Sequence, residues 1–104
     1  MAQFSVYRNK AASGTQIPYL LDVQSGLLDQ LETRVVVPLY RLDTFKGKVF
    51  TRLTPIFEIE GVRVIMMTSE LAGVQKKQLG LEAHSLARHH DEIIAALDML
   101  IFGI

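Results

Sequence analysis

His84-Ser85-Leu86-Ala87-Arg88-His89-His90-Asp91-Glu92-Ile93-Ile94-Ala95-Ala96-Leu97-Asp98-Met99-Leu100-Ile101, followed by Phe102-Gly103-Ile104, is the stretch on which the fold turns. Leu86, Ile93, Leu97, Leu100 and Ile104 recur at three-to-four spacing. That is the period of a helix with one buried face, so Leu81 to Ile104 reads as a single C-terminal helix. Ser85 or His84 offers a start, and Asp91 and Glu92 suit the positive front of the helix dipole. Gly103 falls where a left-handed C-terminal cap belongs. Beyond it the sequence ends in apolar residues, where chain ends are usually polar and frayed. Ile101, Phe102 and Ile104 therefore either pack into the core or a dimer seam, or form a displayed binding element. An aromatic ring at the end of a rigid element makes a good anchor.

Everything upstream reads as strand and turn. Gln3 to Tyr7 alternates as a half-buried strand, Arg8 to Gln16 is a polar loop turning at Ser13-Gly14, and Pro18 to Val23 is a second strand. Gln24-Ser25-Gly26 breaks the chain, and Leu27-Leu28 after it are either a staple onto the core or an exposed contact patch. Thr33 to Leu39 is rich in β-branched residues and predicts a central strand. Pro38 belongs at its end, because proline has no N–H for the ladder. Arg41 to Arg52 has no period beyond a turn at Lys46-Gly47-Lys48, with Leu42, Phe45, Val49 and Leu53 as its anchors. Pro55 to Ile59 and Val62 to Met67 flank Glu60-Gly61, a two-residue hairpin signal. Thr68 to Gly73 predicts a capped helical turn ended by glycine, and Val74 to Leu79 an edge strand guarded by lysines. Gly80 then opens into the helix. The sum is one α+β domain over residues 1–104, an antiparallel sheet of five or more strands with a single C-terminal helix.

Composition narrows the function classes. Eleven basic and eleven acidic side chains cancel, which leaves no excess of positive charge for unaided nucleic-acid binding. There is no cysteine, hence no disulfide framework, thiolate zinc site or cysteine nucleophile. Met1-Ala2-Gln3-Phe4 lacks the basic start and apolar run of a secretion signal. The longest apolar stretch, Ile93 to Ile104, is interrupted by Asp98 and too short to span a bilayer. A soluble, cytoplasmic protein with no membrane partner is expected.

Catalytic chemistry finds little to stand on. His84, His89 and His90 with Asp91 and Glu92 form the only cluster of metal-ligand residue types, and His89 and Glu92 lie three apart on one helical face. No second ligand pair has a recognisable spacing, so the cluster reads as a solvated face rather than a metal site. Ser25 lies near Asp22 but has no histidine partner for a nucleophilic triad. The glycines are scattered, without a phosphate-binding loop. No cofactor, metal or catalytic residue is expected, and the sequence points to binding.

Asp22-Val23-Gln24-Ser25 followed by Leu27-Leu28, then Val36-Val37-Pro38-Leu39, Met66-Met67-Thr68 and the final Gly103-Ile104 occur in order. With the opening Gln3-Phe4-Ser5-Val6-Tyr7, they make the chain resemble the CcdB family of toxin–antitoxin toxins over essentially its whole length. The resemblance implies a twisted antiparallel sheet of SH3-like barrel character, a small second sheet, the C-terminal helix and a homodimer. It implies a non-enzymatic poison that binds the A subunit of bacterial DNA gyrase and traps it on cleaved DNA. A CcdA-type antitoxin would neutralise it and, with it, co-repress the operon, operator DNA being bound only through the antitoxin. Carried over residue by residue, the gyrase contacts fall on Ser25, Leu27 and Leu28 and on Asp98, Phe102, Gly103 and Ile104. In the family a Trp at the Phe102 position stacks on a gyrase arginine, and the best-known member has Asn where Asp98 stands. Two alternatives remain open: a ribonuclease toxin of the MazF type, which shares the general fold, and a chromosomal homologue that binds antitoxin without poisoning gyrase.

Overall fold

The described residues form seven strands. These are β1 (Ser5–Asn9), β2 (Tyr19–Asp22), β3 (Thr33–Arg41), β4 (Ile56–Ile59), β5 (Val62–Met66), β6 (Ala72–Gln75) and β7 (Leu79–Ser85), followed by the helix α1 (His90–Phe102). The computed structural model describes residues 2–104; Met1, in the expected N-terminal run, and the side chain of Ala12 lie outside the described residues. Every pairing is antiparallel, in the order β4-β5-β3-β2-β1-β7, with β6 branching beside β3. That branch stands where a separate second sheet was expected. Among the described residues no helix is long and apolar enough to cross a membrane.

β3 is the spine, as its composition predicts. One edge pairs with β2; the other pairs first with β6 from Thr33 to Val36, then with β5 from Leu39 to Arg41. Pro38 lies inside this strand, not at its end as expected. Its carbonyl accepts from the Met67 N–H at 3.1 Å, and the Met67 carbonyl accepts from the Glu70 N–H at 2.9 Å, so the missing N–H, on the edge where β3 changes partner, leaves that carbonyl paired.

The sheet curls into a half-barrel, and the β4–β5 turn closes it. Glu60 and Gly61 have φ of 53° and 79°, the pair of positive values that a type I′ hairpin turn requires. From this turn Glu60 reaches across to β1 and β2. The Tyr19 hydroxyl donates to Glu60 Oε1 at 3.0 Å, and Arg8 Nη2 lies 2.9 Å from the same oxygen.

The concave face holds the main core. Val6, Leu21, Val37, Leu39, Phe57, Ile59, Val64 and Met66 from the sheet meet Leu86, Ile93 and Ala96 from the C-terminal segment. A smaller cluster of Tyr7, Val36 and Leu79, with Leu20 and Val74 against it, covers part of the outer face.

The largest correction concerns the front of the expected helix. Leu79 to Ser85 is a strand, Leu86 is a buried connector, Ala87–His89 is a 3-10 turn, and α1 begins only at His90. Gly80 does not open a helix. A side chain there would lie 2.7 Å from the Arg8 carbonyl oxygen, so glycine lets β7 approach β1 closely. Two register shifts between β1 and β7 break the alternation of β7, which leaves its strand character hidden in the sequence. α1 has no side-chain N-cap. Its start is held by an edge contact of His90 with Phe4 and a tilted ring contact of His89 with Phe57, ring centroids 5.4 Å and 5.0 Å apart. Two smaller expectations also change. Thr68–Glu70 forms a 3-10 turn, but Gly73 lies in β6 rather than at a cap. Of the lysine-guarded segment only Val74 and Gln75 continue β6; Lys76–Gln78 is a 3-10 turn and Leu79 begins β7.

Candidate binding surface

Two displayed apolar elements hold all the predicted contact residues. The first is the β2–β3 connection. Ser25 caps the 3-10 turn Gly26–Leu28, its Oγ accepting from the Leu27 N–H at 3.2 Å. No residue of that turn is buried: Leu27 is 95% exposed and Leu28 about half exposed. The staple reading is thereby excluded, and the leucines stand as an exposed apolar patch.

The second element is the end of α1. Gly103 adopts φ 74° and ψ 18°, and its N–H donates to the Met99 carbonyl, closing the helix with the expected left-handed cap. Phe102 and Ile104, on either side of the cap, are 71% and 66% exposed, and Ile101 is exposed as well. Packing of the tail into its own core is therefore ruled out. Ile104, expected on the buried face, projects from the cap, and Ala96 takes a buried position that the spacing had not marked. Asp98 is half-buried one turn before Phe102, and the last turn carries no basic side chain. Its carboxylate adds to the negative pole of the helix, so the apolar knob carries an anionic flank. Asp98, Phe102, Gly103 and Ile104 thus cluster at one helix end, and Ser25, Leu27 and Leu28 at one turn. Among the described residues no hydrogen bond, ion pair or ring contact joins the two groups.

A buried polar network beneath the first element was not foreseen. Arg34 on β3 and Asp22 at the end of β2 have side chains 0% exposed. Arg34 Nε donates to Asp22 Oδ2 at 2.9 Å and Nη2 donates to Oδ1 at 3.1 Å, a fork-on-fork pair. Nη2 also donates to the Gln24 carbonyl at 3.0 Å. The Gln24 N–H donates to Asp22 Oδ1, its side-chain oxygen accepts from the Val35 N–H, and its amide nitrogen donates to the Leu28 carbonyl. Burial pushes the Asp22 carboxyl up from the ordinary carboxylate range, while the hydrogen bonds from Arg34 and the Gln24 backbone oppose this. The signal was present in the sequence as an arginine inside a β-branched run. A lone charge in an apolar strand asks for a buried counter-charge, but its partner lies on another strand.

The histidine cluster is dispersed. His89 Nδ1 lies 3.0 Å from Glu92 and His90 Nδ1 lies 3.2 Å from Asp91, while His84 is on β7. No group of three metal-ligand side chains converges among the described residues.

Comparison with known proteins adds two findings. The family model described as CcdB protein matches residues 3–103. Among solved structures, the chain is similar to an endoribonuclease in complex with its cognate antitoxin from a mycobacterial species, with a TM-score of 0.75 and 15% sequence identity over 97% of this chain and 94% of that one. At that identity the likeness is one of fold.

Proposed function

Since the chain belongs to the CcdB family of toxin–antitoxin toxins, we propose that it acts by binding, engaging the A subunit of bacterial DNA gyrase through the two displayed elements and holding it on cleaved DNA. The carrying observation is the outward display of Phe102 and Ile104 around the Gly103 cap. Apolar side chains of this size cost solubility and contribute nothing to the protomer's own core, so a partner is their natural cover. The chemistry suits that partner. An aromatic face beside the anionic end of a helix attracts a guanidinium both by cation–π contact and by charge.

In this reading the protein catalyses nothing and needs no cofactor. It works as a homodimer, in which a two-fold axis repeats each element and matches the paired A subunits of gyrase. A CcdA-type antitoxin neutralises it and carries the complex to operator DNA, the toxin itself making no DNA contact. Family membership supports a toxin with an antitoxin partner; the gyrase target rests on the displayed residues.

The test is a chain ended after Ile101. It should stay folded, its stability lowered by no more than the loss of the cap, about 1 kcal/mol, because the removed side chains are exposed, and lose gyrase A binding in calorimetry by at least about thirtyfold, the weight of one central aromatic anchor. Phe102→Trp should match or exceed the parent through a larger ring on the arginine. A truncated chain that folds and binds gyrase A as the parent does would remove the tail from the mechanism. Cleavage of RNA by the purified parent would replace this reading with the ribonuclease one.

A further inference from the structure

The Ser25–Leu28 tip has no apolar anchor of its own, since none of Gly26–Leu28 is buried. A loop of that kind is ordinarily mobile, and ordering it on binding would cost affinity. Here both of its ends meet one buried cation. Arg34 Nη2 holds the Gln24 carbonyl at 3.0 Å on the entry side, and Nη1 faces Asp29 Oδ1 at 3.6 Å on the exit side. Nη1 is fully buried and has no hydrogen-bond partner among the described residues, so Asp29 is the counter-charge it faces. Lys76, from the turn after β6, adds a second hold on Asp29 through the Asp29 carbonyl and a carboxylate oxygen at 3.5 Å. Gln24 spans the loop between these ends, accepting from Val35 at 2.9 Å and donating to Leu28 at 3.3 Å.

A buried ion pair is a poor source of stability, because desolvation offsets much of its attraction and an apolar pair of similar volume often serves as well. What such a pair does provide is a fixed geometry. We propose that Arg34, neutralised by Asp22 and extended by Gln24, is the positioning residue of the tip, holding Leu27 and Leu28 in one conformation for the partner. The inference rests on the gyrase reading of the tip and assigns it a buried support that makes no contact with the partner.

The test exchanges the charges for neutral side chains without emptying the site. Asp22→Asn combined with Arg34→Met keeps an oxygen for the Gln24 N–H, fills the volume of the guanidinium and removes the hold of Arg34 on both ends of the loop. Melting temperature, amide hydrogen exchange and titration against the gyrase A subunit are read on parent and variant. The expected result is a folded variant whose Leu28 and Asp29 amides exchange at least about tenfold faster while those of β2 and β3 keep their protection, with affinity for gyrase A lowered about tenfold or more. A purely structural role would raise exchange across the sheet and the tip together. Unchanged tip exchange, or faster tip exchange with unchanged affinity, overturns the proposal. Gln24→Ala, which removes the strut and leaves the ion pair in place, keeps the question decidable if the double variant does not fold. It should show the same selective loosening and loss of affinity, and parental behaviour of both overturns the proposal. A parent that fails to bind gyrase A sinks the functional reading and the partner assigned here, whereas a parent that binds, beside a variant that binds equally well, sinks only the role of Arg34.

Discussion

At the scale of single residues, conformations that most side chains avoid occur at Gly103 and Glu60. Gly103 stands at φ 74° with nothing within 4 Å of where a Cβ would be. Gly103→Ala therefore meets no clash, only the intrinsic cost of the left-handed region, about 1 kcal/mol. Urea unfolding should report a loss of that size, and gyrase affinity should fall further, since relaxing the cap re-aims Phe102 and Ile104. An affinity that follows stability alone would make the cap purely structural. Glu60 accepts a similar backbone cost in exchange for its carboxylate contacts. The Tyr19 hydroxyl, with Arg8 beside it, holds the Glu60 carboxyl below its ordinary value of 4.5. A depressed folded pKa stabilises the fold above the unfolded value, and that contribution disappears as pH falls through the folded one. Melting temperatures followed below about pH 5 should fall less steeply for Glu60→Gln than for the parent. Parallel curves would mean that the clasp carries no proton linkage.

At the scale of elements, α1 serves two purposes with two ends. Its middle is fastened to the concave sheet through Ile93 and Ala96, both 0% exposed, while its last turn and cap carry the displayed residues. Ile93→Ala deletes a fully buried side chain from the meeting point of helix and sheet and should cost about 2–5 kcal/mol. Calorimetric melting should register this as a fall in the single transition of the domain. A loss below about 1 kcal/mol would mean that the helix is held elsewhere than through its concave contact. The tip between β2 and β3 is built the opposite way. Its apolar side chains face outward, and its ends are tied to a buried cation by one hydrogen bond from Arg34 to the Gln24 carbonyl and by the ion pair with Asp29, so apolar patterning alone could not reveal what orders it.

At the scale of the whole molecule, the exposed apolar end of α1 lies on a chain with no net charge, a combination that favours association. The homodimer proposed above should appear in sedimentation as a single species of twice the chain mass at micromolar concentration. A stable dimer would bury at least about 1,200 Å² in total. A monomer alone at that concentration would remove the two-fold match to paired A subunits, leaving each protomer to bind as a single weak ligand.

The sequence by itself determined the features whose causes are local. Glu60-Gly61 specifies a hairpin because both positions must take positive φ, and Gly103 ends the helix for the same reason. The β-branched run at β3 and the apolar spacing after Ile93 specify their elements through side-chain shape and period. Tertiary structure alone decided the rest. Leu79–Ser85 became a strand because β1 offered it an edge, through bulges that erased its period. Pro38 sits inside β3 because that strand changes partner there. Arg34 could enter the interior only because Asp22, on the neighbouring strand, arrives with it. Whether Leu27 and Phe102 face inward or outward is likewise not a property of the segments that carry them. It depends on which apolar surfaces the curled sheet has already covered, and only the folded chain fixes that.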